Sequence, residues 1–370
     1  MKKKTIVVSG INLFSGGPLS IYIDFLSLII KSEYDKKYNI IAFVHKKELF
    51  ESFKDSMVRF IELPKSRKSY LNRIFYEYVY FYHYSKNKKI YMWISLHDMT
   101  PNVVAEKRIV YCHNPLPFFS IGFRQSLKYP LVALMKKLYY FAYKINVAKN
   151  DCIIVQQDWL RSEFSRKFGI ENNKIAVCRP VLAQPVVSQF TDRESKNLFL
   201  FVYSAYPRFF KNYEVIAEAV KLLNERNLEK DYKVLFTING KENKYSKELY
   251  RKYRHVNNII WEGIVSREKM MEIYAQSDAL IFPSIIETWG LPISEYKTTG
   301  KLMILADLPY AYETVEPYSN VAFFDPFSAK DLAHLMNDAI TNCIAVENIR
   351  TKQYDAPYYE DWKRLLDEML

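Results

Sequence analysis

Residues 284–300 read SIIETWGLPISEYKTTG. Two acids, Glu287 and Glu295, stand on either side of Gly290-Leu291-Pro292, with seven residues between them. Burying an acid without a partner is costly, so this placement calls for an explanation. A proline suits the first helical turn, where its missing N–H is no loss. A glycine just before it permits a tight turn and close backbone approach. The stretch therefore predicts a strand at "ALIFPS" (279–284), a loop carrying Glu287, and a helix with Glu295 in its first turn. Exposed N–H groups at a helix start form an anion site. Two acids beside such a site can accept hydrogen bonds from the hydroxyls of a phosphorylated, polyhydroxylated ligand. A plainer reading stays open: Glu295 complements the helix dipole and Glu287 is a solvated loop acid.

Outward from this stretch, short apolar runs alternate with helical patterns. "NLFLFVYSA" (197–205), "YKVLFTING" (232–240), "NIIWEG" (258–263) and "LMILAD" (302–307) read as strands of the second half. "TIVVSG" (5–10), "YNIIAFVH" (38–45), "KRIVYCHNP" (107–115) and "CIIVQQ" (152–157) read as strands of the first. Helical patterns fall between them, including 46–56, and the chain closes on an amphipathic pattern at 358–370. Near-continuous apolar strands alternating with helices indicate parallel sheets covered on both faces. Two such sheets fit 370 residues. The expected boundary is "VLAQPVVSQFTDRESKN" (181–197), which has a proline, polar residues and no period.

Three further constellations could carry chemistry. "YSAYPRFFKNYEVIAEAV" (203–220) places Arg208 and Lys211 between a strand and a helix. Arginine offers a planar fork for phosphate and lysine a point charge. "NLFSGGPLSIYI" (12–23) holds the chain's one glycine pair, Gly16-Gly17, at a strand–helix junction. It lacks the spacing of a P-loop or a dinucleotide fingerprint. In "VYCHNPLPFF" (110–119), His113 follows a buried-looking strand and could donate to an oxygen or move a proton. Each has a bland counterpart: surface basic residues, a plain turn, a structural histidine.

The charge is lopsided. Residues 1–190 hold 30 Lys+Arg against 14 Asp+Glu, a net of +16, and residues 191–370 hold 23 against 27, a net of −4, which together make +12. A basic half suits an anionic partner. The aromatic and basic stretches 66–89 and 124–144 fit either an anionic membrane surface or core helices with snorkelling lysines. No nucleic-acid motif is present. The four cysteines, Cys112, Cys152, Cys178 and Cys343, form no C-x-x-C pair or zinc spacing, which favours a reducing, cytoplasmic setting. "MKKKTIVVSG" lacks a signal-peptide apolar run, and no stretch reaches spanning length.

Taken together and in this order, the pieces resemble a retaining glycosyltransferase of the GT-B fold, family 4 type. The match rests on E-x7-E (Glu287, Glu295) within "PSIIETWGLPISEY" (283–296), on "WEGIVSREKMMEIYAQSDALIFPS" (261–284), on "GKLMILADLPYAYE" (300–313) and on the basic "PRFFKN" (207–212). The first half resembles the family only through its Gly-Gly loop and His-Asn-Pro motif. Two departures stand out. Thr288-Trp289-Gly290 replaces the usual Gly-Phe-Gly, so Trp289 is expected to fill more space beside a donor sugar. Ser204-Ala205 replaces a frequent glycine.

The resemblance implies two Rossmann-like parallel-sheet α/β domains facing across a cleft. The expected parts are an acceptor domain at 1–185, a nucleotide-sugar donor domain at 186–355, and a terminal helix at 356–370 packing back toward the first. It implies that Glu287 contacts the transferred sugar, Glu295 the ribose hydroxyls, and Arg208 and Lys211 the diphosphate. His113 would contact the donor sugar or orient the acceptor. Gly16, Gly17, Trp289, Gly290, Leu291 and Pro292 would complete the donor site. No cofactor and no metal are implied, since the nucleoside diphosphate sugar is a substrate. The expected activity moves a hexose to a saccharide or lipid-linked saccharide acceptor in cell-surface polysaccharide synthesis, O-antigen or capsule. The expected place is the cytoplasm, peripheral at the inner face of the membrane. Rival readings are a GT-B-type nucleotide-sugar epimerase, a basic nucleic-acid-binding protein and a non-catalytic sugar-binding scaffold.

Overall fold

The computed structural model describes residues 3–118, 127, 130–180, 198–226 and 231–370. The chain divides into two compact units, Met1–Val181 with Tyr354–Leu370, and Leu182–Gln353. The expected boundary segment, 181–197, lies outside the described residues.

The first unit is built on strands β1 (Thr5–Ser9), β2 (Asn39–Val44), β3 (Arg59–Glu62), β4 (Ile90–Ser95), β5 (Lys107–Tyr111), β6 (Cys152–Val155) and β7 (Ile175–Cys178). They lie in the order β7-β6-β5-β4-β1-β2-β3. Every pairing is parallel. Successive side chains of a strand face opposite ways. Accordingly Ile6 and Val8 enter one core with Phe25, Leu26 and Ile29 of helix α1 (Gly16–Lys31). Val7 and Trp93 enter the core on the other face with Phe81. Helices α2 (Pro130–Lys144) and α3 (Asp158–Phe168) bury Tyr143, Leu160 and Phe164 in a third cluster. The 70–85 segment is also helical, in three consecutive pieces: Tyr70–Phe75, a π-turn Tyr76–Tyr80 and Phe81–Ser85.

The second unit holds β8 (Leu198–Tyr203), β9 (Asp231–Phe236), β10 (Ile259–Trp261), β11 (Ala279–Phe282), β12 (Leu302–Ala306), β13 (Tyr318–Phe324) and β14 (Glu347–Ile349). Their order is β10-β9-β8-β11-β12-β13-β14. Only the β13–β14 edge is antiparallel among the described pairings. Strands β11 and β12 are buried along their whole length, as two-sided cover requires. The covering helices are α4 (Tyr213–Asn224), α5 (Arg267–Gln276), α6 (Leu291–Lys297), α7 (Pro309–Val315) and α8 (Ala329–Ile340).

The tail belongs to the first unit. Tyr358–Tyr359 adds a parallel strand beside β7, where a continuous terminal helix was expected. Helix α9 (Trp362–Met369) follows and buries Trp362, Leu365 and Leu366. Each such burial contributes about 1.5–3 kcal/mol. Tyr38 donates to the Leu370 carbonyl at 2.9 Å, and Lys107 to that of Met369 at 2.7 Å. The pattern at 46–56 gives only a 3-10 turn, Lys47–Phe53, kinked at Phe50. Strands β3, β4, β7, β13 and β14 carry no reading in the sequence analysis. Most are short, and β14 lies at a sheet edge with little apolar content.

Candidate active site

In open parallel sheets, ligands bind outside the carboxyl ends of the strands where the strand order reverses. In the second unit that point lies between β8 and β11, which are adjacent although two strands intervene in sequence. The loop after β8 carries Arg208 and Lys211, and the loop after β11 carries Glu287. Topology alone thus brings together three of the residues singled out in the sequence.

The two loops are stapled to each other. Ile285 N–H donates to the Phe210 carbonyl at 2.8 Å. The Asn212 amide donates to the carbonyls of Pro283 (3.3 Å) and Pro326 (2.7 Å). Asn212 sits at φ 57, a left-handed conformation that asparagine tolerates better than most residues. Tyr203, at the end of β8, donates to the Lys211 carbonyl at 2.6 Å, and its oxygen lies 3.3 Å from Ser284 Oγ. Tyr310 donates to the Ser284 carbonyl at 2.6 Å. Burial pushes both tyrosines well above their ordinary range, and the Glu287 charge adds to the shift. Both hydroxyls therefore stay protonated.

On this frame the Lys211 ammonium forms an ion pair with Glu287 Oε1. The two side chains are only 17% and 13% exposed, so the pair is largely screened from water. Arg208 stands just before the turn Phe209–Lys211, exposed, with its guanidinium 5.7 Å from the centre of the Tyr206 ring.

Gly290 takes φ 85 at the start of α6, and a Cβ there would press on Ile293 Cδ1 at 3.2 Å. The helix then begins at Leu291, with Pro292 second. Glu295 is consequently in the second turn, not the first as the sequence suggested. The glycine cap sets the helix start one residue before the proline. Glu295 Oε1 lies 3.7 Å from Arg267 Nη2, at the first residue of α5. Burial raises the Glu295 carboxyl above its ordinary range, and the Arg267 guanidinium pulls it back. Leu291 is exposed and Pro292 half-buried. Trp289 is buried, its indole N–H donating to Ser294 Oγ at 2.9 Å. Its side chain supports the loop that carries Glu287 and offers little surface to a ligand.

In the first unit the strand order reverses between β1 and β4. The segment after β1 ends on Gly16, at φ 60, and Gly17, and a Cβ on either would meet open space. His113 follows β5, stacked on Tyr111 with ring centres 5.6 Å apart. Its loop is organised by Asp98, which lies beyond β4. Asp98 Oδ1 accepts from the N–H groups of His113 (2.7 Å) and Asn114 (3.1 Å) and from the Tyr143 hydroxyl (2.8 Å). The same oxygen lies 3.5 Å from His113 Nδ1. Asp98 is buried and takes φ 73 to do this. The sequence reading missed Asp98, Tyr143, Tyr203, Tyr310 and Arg267. A signal existed for Asp98, since "SLHDMTP" (95–101) puts polar residues directly after an apolar strand.

Residues 187–355 match the family described as glycosyl transferases group 1. No curated protein matches the sequence. Solved structures align over nearly the whole chain. A glycosyltransferase from Rickettsia africae ESF-5 is 17% identical, covers 92% of this chain and 89% of its own, and gives a TM-score of 0.60. The lipopolysaccharide outer core galactosyltransferase WaaB is 14% identical, with 92% and 91% covered and a TM-score of 0.61. HepE of Anabaena, solved in complex with UDP and glucose, is 13% identical, with 91% and 90% covered and a TM-score of 0.56. At such identities the likeness is one of fold, and the fold is GT-B. With a group 1 glycosyl transferase domain as most of its second unit, the chain is a glycosyltransferase.

Proposed function

We propose that the protein is a retaining transferase of the family 4 type, moving a hexose from a nucleoside diphosphate sugar to a lipid-linked saccharide in cell-surface polysaccharide synthesis. The observation that carries the reading is the Lys211–Glu287 pair on the two loops of the topological switch point. Lys211 and Arg208 hold the diphosphate and stabilise its charge as it leaves. An ammonium already held by one carboxylate still has donors for phosphate oxygens. Glu287 accepts from hydroxyls of the transferred sugar, and Glu295 from the ribose. In the first unit, His113 is read as orienting the acceptor, and the open Gly16-Gly17 turn lets a ligand approach the backbone. An acceptor hydroxyl attacks the anomeric carbon on the face from which the diphosphate departs. The carbon–phosphate oxygen bond breaks, and the hydroxyl proton passes to a departing phosphate oxygen.

Several observations support the finer parts. HepE binds UDP and UDP-glucose, and WaaB is a lipopolysaccharide galactosyltransferase. The first half is strongly basic, which suits an acceptor presented on an anionic membrane. No helix among the described residues is long and apolar enough to cross a membrane, and the reading requires only peripheral contact. The test is a panel of UDP-, GDP- and ADP-sugars scored by thermal stabilisation, since a ligand raises stability by mass action. One nucleotide class should stabilise, and its product with acceptor should keep the anomeric configuration. A panel without any stabilising member, or an inverted product, would defeat the proposal.

A further inference from the structure

The 70–85 helical segment turns an aromatic face inward, with Phe81 buried and Tyr76, Tyr80 and Tyr84 packed beside it, together with two charged groups. Arg73 and Glu77 point into the unit, 7% and 0% exposed. Arg73 Nη2 donates to the His97 carbonyl at 2.9 Å, and His97 Nε2 lies 2.8 Å from Glu77. Leu71, Ile74, Phe75 and Val79 face outward instead, Leu71 being 76% exposed. A helix in water ordinarily presents polar residues on its outward face. Helix α2 presents a second outward stripe: Leu134, Leu138 and Phe141, with Ile145 just beyond its end, at helical spacing and all exposed. The two stripes adjoin, because the Tyr70 hydroxyl reaches Met135 Sδ at 3.8 Å. Contiguous exposed apolar surface of this kind marks a contact with a partner or a membrane.

Charge identifies the partner. Lys65, Arg67 and Lys68, just before the first stripe, are exposed, as are Lys137 and Lys144 on α2. A second copy would bring the same positive charges against them. An anionic lipid surface complements them and accepts the apolar side chains as well. The basic fringe also borders the β1–α1 loop. Ser66 Oγ donates to the Ile11 carbonyl at 2.9 Å, and the Arg67 guanidinium lies 3.0 Å from the centre of the Phe14 ring.

We propose that this two-helix face, Leu71–Val79 with Leu134–Ile145, docks on an anionic lipid surface and so brings a membrane-borne acceptor beside the Gly16-Gly17 turn. The proposal rests on the transferase reading for the acceptor and on the exposed face for the docking. The full chain is sedimented with phosphatidylcholine vesicles with and without phosphatidylglycerol, at low and high salt. Two double variants are compared: Leu138→Ser with Phe141→Ser, and Lys137→Gln with Lys144→Gln. The parent should bind only the anionic vesicles and release as salt rises. Each lysine removed should weaken binding at low salt about fivefold. The apolar variant should lose the binding that survives added salt. Failure of the parent to bind anionic vesicles, or equal binding by parent and variants, overturns the docking face. So does a dimer on gel filtration that the Leu138→Ser/Phe141→Ser variant dissolves. Thermal stabilisation by nucleoside diphosphate is read on the same samples. Lost docking with intact nucleotide response refutes this proposal alone, and intact docking with no nucleotide response refutes the transferase reading alone.

Discussion

Lys211 and Glu287 form an ion pair although 76 residues separate them in the chain. Their loops follow strands β8 and β11, which the sheet order makes neighbours. The pair joins a residue read as a phosphate ligand to one read as a sugar ligand. A change at either end therefore alters both the site and the frame.

Replacing the two basic residues should separate these effects. Arg208→Ala and Lys211→Ala should each lower turnover by about 2–4 kcal/mol of transition-state stabilisation, as loss of an oxyanion donor does. Arg208 is exposed, so its loss should leave thermal stability within about 0.5 kcal/mol. Lys211→Ala leaves a shielded carboxylate without its cation, which should cost about 1–3 kcal/mol in stability. Adding Glu287→Gln should recover part of that cost, giving a non-zero coupling in a double-mutant cycle. Melting curves and steady-state rates on the parent, the three single variants and the Lys211→Ala/Glu287→Gln double variant check this. Near-normal turnover in both alanine variants would remove the phosphate clamp.

What the sequence disclosed follows the reach of its signals. Local signals were read well: the strand–loop–helix around Glu287, the Gly-Gly junction and the apolar runs of β8, β9, β11 and β12. The pairing of Lys211 with Glu287 was not legible, because only the strand order places those loops together. Asp98 was missed for a similar reason. Its role consists of hydrogen bonds to backbone 15 and 16 residues away and to Tyr143, 45 residues away. The register of α6 turned on one glycine conformation, which moved Glu295 from the first turn to the second. The outward apolar stripe of the 70–85 segment was hidden because sequence composition does not say which side of a helix is buried.

Asp98 offers a test of how the His113 loop is held. Asp98→Ala would leave two backbone N–H groups and the Tyr143 hydroxyl without their acceptor. A buried donor left unsatisfied costs about 1–3 kcal/mol. Urea unfolding should show a loss in or above that range, and Tyr143→Phe a smaller one. Turnover should fall with Asp98→Ala even at temperatures where the protein remains folded, because His113 loses its orientation. Unchanged stability together with unchanged turnover would show that the Asp98 contacts are incidental.

Metal dependence bears on the leaving-group chemistry. In the proposed mechanism, side-chain cations and backbone dipoles stabilise the departing diphosphate. Transfer should then continue in excess chelator. Loss of activity in EDTA, restored by Mg²⁺ or Mn²⁺, would contradict this part of the reading.

The two glutamates should fail in different ways. Glu287, beside Lys211 at the switch point, is read as touching the sugar whose bond breaks. Glu287→Gln should lower kcat with little change in donor KM, the mark of an interaction made chiefly in the transition state. Glu295 is read as a ribose ligand, so Glu295→Gln should raise donor KM. It should also weaken binding of the free nucleoside diphosphate by about 10- to 150-fold, the worth of hydrogen bonds to a charged acceptor. Stability gives an independent sign. Burial raises the Glu295 carboxyl, so the folded protein keeps that proton to higher pH than the unfolded chain does. Stability from this group is then present at low pH and is lost as pH rises through the raised value. At neutral pH the ionised acid is a burden, and Glu295→Gln should melt no lower than the parent. A Glu295 that only complemented its helix would instead lose about 0.3–1 kcal/mol on substitution and leave nucleotide affinity unchanged. The pH dependence of binding completes the test. Parent affinity should fall as acid protonates Glu295, beginning above the ordinary carboxylate range, while the Gln variant should lack that step. Calorimetric titration with nucleoside diphosphate across pH, on parent and both variants, reads all of these. If Glu295→Gln binds as tightly as the parent, the ribose role is lost. A fully active Glu287→Gln would remove the acid from the chemistry altogether.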